Sequence, residues 1–171
     1  TRTPFSIDFG VGDVIVPKQE KRKIPTQLDD FAAPVVNTYS LETTIAEKID
    51  AILSLMEFSS RMKDYYDIYY LANKFDFDGK VLTEALKKTF ENRGHAFTIE
   101  QFEQVMSFAD DSAMQKKWKA FCRKIDTQTD DFSTVLRTIK VFLTRPFIAV
   151  LSKTEFSQQW IAAETQWKKG V

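Results

Sequence analysis

Glycine is scarce, at five in 171 residues, and there is only one cysteine, Cys122, and one histidine, His95. Each shortage closes off some chemistry. A single cysteine cannot form an internal disulfide and suits a reducing cytosol, so a cytoplasmic location is expected. His95, in the loop after Arg93-Gly94, has no second His or Cys nearby to make a zinc site and reads as a surface residue. There is no glycine-rich phosphate loop, no Cys-x-x-Cys and no Ser-His-Asp signature. No apolar run approaches the ~20 residues of a membrane span, so no membrane association is expected, and neither is a secretory leader. Net charge is missing too: 24 basic residues balance 24 acidic ones, which neither favours nor excludes a nucleic-acid partner. Internal repeats and low-complexity segments are lacking.

Phenylalanine is what the chain has in quantity, with 15 residues. Phe102, Phe108, Trp118, Phe121, Phe132, Phe142 and Phe147 recur at helical spacing and are expected in a core. Cys122, among Trp118, Phe121 and Ile125, is expected with them. Few glycines and many Lys, Glu and Leu predict a mostly helical chain, long enough for one domain with a sizeable core.

The first residues alternate. Phe5, Ile7, Phe9 and Val11 are interleaved with Ser6, Asp8 and Gly10, which predicts a strand with Asp8 on the face opposite the phenylalanines. A turn at 10–13 leads to a second short strand, Val14-Ile15-Val16. Residues 17–38, with Pro17, Pro25 and Pro34 around the run KQEKRK at 18–23, read as a loop with a strand near Val35-Val36. That basic run could touch nucleic-acid phosphate or simply be solvated.

Helix signals follow. Ser40 caps a helix to about Glu57, and Ser59 or Ser60 one to about Lys74. Asp78 precedes a third, which Gly94 terminates. Thr98 with Gln101 forms a capping box for a fourth. Asp111 or Ser112 starts a fifth, to about Ile125. Asp131 starts a sixth, expected to stop near Leu143 because Pro146 follows. A final helix is expected over 157–168. The fold class is therefore α+β, predominantly α: a short N-terminal β element, then six or seven helices.

Two helices carry charges on apolar faces. An α-helix turns about 100° per residue, so Leu41, Ile45, Ile49, Ile52 and Met56 form one stripe with Lys48 on its margin, while Glu47 and Asp50 point to solvent. On the next helix Arg61 and Asp64 fall within the face of Tyr65, Ile68, Leu71 and Phe75, with Asp67 on its flank. Lys48 reads either as a lysine snorkelling over apolar surface or as a cation aimed into a cleft. Arg61 and Asp64 read either as a structural ion pair at a helix start or as part of a phosphate- and metal-handling site.

Four segments carry a resemblance: FSIDFGVGDVIVP, YSLETTIAEKIDAI, SSRMKDYYDIYYLANKFDFDG and LKKTFENRG. In that order they resemble the AbiEii-type nucleotidyltransferase toxins over roughly residues 4–94, and more loosely to 145 through Trp118-x-x-Phe121 and FLTRP. The combination of Ala46-Glu47-Lys48 with Ser60-Arg61-Met62-Lys63-Asp64 and Asp67 is its most specific part. The resemblance implies a DNA polymerase β-like nucleotidyltransferase. Residues 1–38 would be the end of its sheet with a connecting loop, and 39–171 a helical domain. It implies transfer of nucleotides from an NTP to an acceptor such as tRNA, Mg2+ as cofactor, and a cognate antitoxin as partner in a toxin–antitoxin or abortive-infection system. Carried over, Lys48 and Asp64 would be catalytic, Arg61 and Lys48 would bind phosphate, Asp67 and Glu42 would support them, and Asp8 would lie at the metal site.

The family's Gly-Ser and Asp-x-Asp-like strand does not precede Asp8 here. The chain is therefore expected either to be the C-terminal portion of a longer enzyme or to have lost that strand, and by itself to be inactive. Two other readings remain: a non-catalytic helical module that docks an antitoxin or partner subunit, and an RNA-binding domain that uses residues 18–23.

Overall fold

The computed structural model describes residues 4, 6–7, 12–58, 61–125 and 129–170. Its fold is α+β and predominantly α. A two-stranded antiparallel hairpin comes first, β1 (Glu20–Lys23) with β2 (Val35–Thr38). Then follow α1 (Leu41–Leu55), α2 (Met62–Lys74), β3 (Phe77–Asp78), α3 (Gly79–Arg93), α4 (Ile99–Ser107), α5 (Ser112–Ile125) and α6 (Phe132–Ser152). Strands β4 (Gln158–Ile161) and β5 (Gln166–Lys169) join β3 in a three-stranded sheet ordered β3-β4-β5. No helix among the described residues is long and apolar enough to cross a membrane.

The helix starts follow their capping residues. Ser40 Oγ accepts from Thr43 N at 3.1 Å, and Asp78 Oδ1 accepts from Lys80 N and Val81 N at 2.8 and 3.2 Å. Thr98 and Gln101 exchange both bonds of a capping box. Asp111 and Asp131 each accept from the backbone three residues on. Gly94, at φ +67°, closes α3 in the left-handed conformation that glycine tolerates. Helix α2 differs from expectation: its N-cap is Arg61, without a side-chain cap bond, and Ser59 and Ser60 lie outside the described residues.

The core forms where α1 packs on α2 and α3, and α6 on α2, α3 and α4. Ile45, Ile49 and Ile52 of α1, Tyr65 and Ile68 of α2, Leu82 and Leu86 of α3, and Phe142 and Phe147 of α6 are fully enclosed. Phe102, Phe108, Trp118 and Phe132 are buried as expected, while Phe121 and Cys122 lie partly buried against the core.

Four local expectations are corrected. The alternating strand expected at 5–11 is not one of the four, for it falls largely outside the described residues. Val14–Val16 is not a strand: Val16 N donates to Thr43 Oγ1 at 2.8 Å, and the hydroxyls of Thr43 and Ser40 both donate to Val16 O. The segment is thus tied to the start of α1 by side chains rather than by a strand neighbour. The basic run at 18–23 is not a simple loop, since most of it is β1.

The third and fourth corrections share a cause. Helix α6 runs straight past Pro146, and residues 157–168 form strands β4 and β5 instead of a helix. Pro146 has no N–H to give the carbonyl of Phe142, four residues back. Trp167 Nε1, from β5, donates to that oxygen at 2.8 Å. The C-terminal hairpin thus satisfies the one helix bond the proline removes. Trp167→Phe is expected to destabilise the protein by about 1–3 kcal/mol, because it orphans a buried carbonyl. Adding Pro146→Ala should recover much of that loss, since the alanine restores an N–H to the helix ladder. Thermal unfolding of the four members of this double-mutant cycle reads the coupling, and additive losses would contradict it.

Candidate functional site

Helices α1 and α2 bring together three cations and two carboxylates. Lys48 leaves the margin of the buried stripe of α1, and Asp64 and Asp67 leave successive turns at the start of α2. Lys48 Nζ lies 3.0 Å from Asp64 Oδ1 and 2.6 Å from Asp67 Oδ2. Arg61 Nε lies 2.6 Å from Asp64 Oδ2, and Lys63 Nζ 2.5 Å from Asp67 Oδ2. The positions expected from helix periodicity therefore do meet, and one positive charge is left in excess.

Burial is graded across the cluster. The Asp64 side chain is 4% exposed, Lys48 19%, Asp67 20%, Arg61 57% and Lys63 71%. Asp64 is therefore the enclosed floor, and the two outer cations face solvent. Asp64 Oδ2 makes no well-aligned hydrogen bond, so its charge is balanced there by the Arg61 guanidinium at ion-pair distance. Its place in the first turn of α2 also favours a negative charge.

Burial pulls the Lys48 ammonium toward the neutral form. The hydrogen bonds that it donates to Asp67 and Asp64, with the charges of those carboxylates, outweigh that pull and raise its pKa above the ordinary 10.5. Lys48 is thus a fixed cation at physiological pH, held between two carboxylates.

Glu42, expected to support this cluster, lies six residues earlier on α1. Burial raises the pKa of its half-buried carboxyl, and Glu20 and Asp78 are the acids that add to the rise. No ion pair joins it to Lys48 among the described residues. Asp8 lies outside the described residues.

The sequence reading missed a second polar network on another flank of α1. Asp50, expected to face solvent, is 1% exposed at its side chain. His95 Nδ1 lies 2.8 Å from Asp50 Oδ1, and Arg93 reaches both Asp50, at 3.5 Å, and Glu47. His95 is thus only in part the surface residue expected, for it anchors the loop after α3 onto α1. Ser54 Oγ lies 3.3 Å from the same His95 nitrogen. Serine and aspartate share one ring nitrogen, so this is not the relay in which each nitrogen serves one partner. Burial raises the Cys122 thiol pKa, which disfavours the thiolate form.

The divalent ions implied by the resemblance find no ligand set here. Among the described residues no group of three or more His, Cys, Asp or Glu side chains could hold a metal ion. Asp64 and Asp67 are already engaged by ammonium and guanidinium groups. The described residues do not fit a metal, and none of their roles is routed through one.

One family model, described as the nucleotidyl transferase AbiEii toxin of a type IV toxin–antitoxin system, matches residues 1–138. That span covers β1 through α5, the first turns of α6 and the whole charged cluster. Comparisons with curated proteins and with solved structures gave no match.

Proposed function

The chain belongs to the AbiEii family of nucleotidyltransferase toxins, and on that premise we propose that the α1–α2 cluster is the triphosphate-binding side of a nucleotidyl transfer site. The observation that carries this is the Lys48 ammonium, fixed between Asp64 and Asp67 with Arg61 and Lys63 on its solvent side. A triphosphate approaching from solvent meets Lys63 and Arg61 first and Lys48 deeper in. Asp64 orients Lys48 and keeps it charged, and Asp67 divides its charge between Lys48 and Lys63. Positioning and charge neutralisation are what phosphoryl and nucleotidyl transfer ask of a protein.

In this reading residues 1–38 close the nucleotidyltransferase sheet and lead into a helical domain over 39–171. Asp8 is the proposed carboxylate of the Mg2+ site, and Glu42 is at most peripheral. The acceptor is an RNA such as tRNA, the setting is the cytoplasm, and a cognate antitoxin is the regulatory partner.

One observation favours the rival reading of a non-catalytic module that docks an antitoxin: Lys48, Asp64 and Arg61 all find partners within the chain. A transfer assay separates the two. The full-length protein, given labelled NTPs and total tRNA, is expected to label the RNA, and Asp64→Asn to lower the rate by roughly 100-fold. No labelling by the wild type, or undiminished labelling by both Lys48→Ala and Asp64→Ala, would contradict the assignment.

A further inference from the structure

Helices α1 to α6 bury one face, but the β1–β2 hairpin buries neither. All eight ladder residues are exposed except Thr38, which is partly covered. A lone two-stranded ribbon is marginally stable in water, so its exposed ladder invites a functional explanation. The register supplies one. Lys21 pairs with Asn37 and Lys23 with Val35, while Glu20 pairs with Thr38 and Arg22 with Val36. Side chains alternate across the strands, so Lys21 and Lys23 share one face with Asn37 and Val35. Glu20 and Arg22 lie on the other and neutralise each other, with Arg22 Nη2 2.6 Å from Glu20 Oε2.

The charges on one face are therefore all positive, Lys21 and Lys23, beside Asn37 and the exposed Val35. Among the described residues, neither Lys21, Lys23 nor the preceding Lys18 has an ion-pair partner. The hairpin's two other acids, Asp29 and Asp30, sit in the tip beside the exposed Phe31, away from the ladder.

We propose that the Lys21/Lys23 face of the hairpin is a contact arm for the phosphate backbone of the acceptor RNA. The two lysines stand ~6.7 Å apart along the strand, about twice the ~3.4 Å of helix axis that each charge of one nucleic-acid strand occupies. The arm is rooted close to the cluster: β2 passes through Tyr39 directly into Ser40, the N-cap of α1. Lys48 lies about 12 Å further along that helix, at ~1.5 Å per residue. An RNA lying along the arm is thus within a few nucleotides of the proposed triphosphate site. Asn37 adds an amide for phosphate or ribose, and Val35 gives the Lys23 stem an apolar seat. The proposal rests on the acceptor being a nucleic acid, as argued above, and assigns it a surface.

The test is fluorescence anisotropy of labelled total tRNA with the full-length protein, without NTP, across a salt series. Lys21→Ala with Lys23→Ala is expected to weaken binding about tenfold near 0.1 M salt. It should also reduce the slope of log affinity against log salt by about 1.5, as for two lost phosphate contacts. Arg22→Ala, on the other face, should change affinity less than threefold. Unchanged melting temperatures would show that the exposed substitutions leave the fold intact. Unchanged tRNA affinity in the double variant overturns the proposal, as does an equal loss with Arg22→Ala. Unchanged tRNA affinity with lost binding of the cognate antitoxin would also overturn it, and would assign the face to a protein. Because binding is read without NTP, a failure here is distinct from a failure of the transfer chemistry.

Discussion

Lys48→Met in the full-length protein is expected to reduce nucleotide transfer by roughly 100-fold or more, the scale seen when one preorganised charge-stabilising group is removed. The reason lies in the arrangement around it. Lys48 is the only one of the three cations touching both carboxylates. Without it, Asp64 keeps Arg61 and Asp67 keeps Lys63, but the inner end of the cluster turns net negative and repels a triphosphate. Stability should fall as well. Removing one partner of a buried pair costs ~3–5 kcal/mol, and the partial exposure of Lys48 and Asp67 scales this down to about 1–2. Lys48→Arg should not restore the rate, because a longer planar group cannot occupy the gap between Asp64 and Asp67 in the same way. A lower melting temperature with unchanged transfer would reduce the cluster to a structural ion pair.

The raised pKa of Lys48 makes a related point about pH. A folded-state pKa above the unfolded value means that the pair's contribution is complete below about 10.5 and fades only as pH climbs through the higher folded value. Between pH 6 and 9 neither stability nor transfer should show a step belonging to Lys48.

Trp160→Ala is expected to cost about 4–5 kcal/mol of stability, the largest loss predicted for any single substitution here. The ring is fully buried, and its centroid lies 4.8 Å from that of Phe142 and 5.5 Å from that of Trp167. Its indole N–H donates to Ala72 O at 2.7 Å, near the C-terminal end of α2. Truncation leaves a large cavity, for ~3–5 kcal/mol, and an orphaned carbonyl, for about 1 more. At ~2–4 °C per kcal/mol for a chain of this size, the melting temperature should drop by roughly 10 °C or more. A loss below about 1 kcal/mol would show that the C-terminal hairpin does not pack as described.

That hairpin also shows where the sequence was silent. Phe156, Trp160 and Trp167 are spaced by four and seven residues, which fits a helix face. In the fold Trp160 and Trp167 sit opposite each other across an antiparallel ladder instead. The same heavy aromatics satisfy both patterns, and only the partner, β3, decides between them. Gly79 belongs to that decision: a Cβ there would come within 2.6 Å of Gln158 O, and no local signal announces that approach. Pro146 looked like a helix stop because its rescuer, Trp167, lies 21 residues on. The β1–β2 hairpin was half hidden because it lacks a buried face, and so lacks the alternation by which strands are read.

Caps were legible because they act within four residues. Ser40, Asp78, Thr98 with Gln101, and Asp131 place their helix starts without reference to the rest of the chain. The cluster was legible for a similar reason: helical period put Lys48 on the margin of one apolar face and Asp64 within another, and the structure joins them, whereas Arg61, expected within that second face, is the exposed N-cap of α2. Asp50 was not, because its partner His95 lies 45 residues away and its own helix face reads as polar.

The most direct test of the central claim is a structure of the full-length protein with a non-hydrolysable NTP. The account predicts triphosphate oxygens within hydrogen-bond reach of Lys48 Nζ, with Asp64 still beneath it and Arg61 or Lys63 turned toward the phosphates. A triphosphate bound elsewhere, with the Lys48–Asp64–Asp67 bridge left facing only solvent, would contradict it.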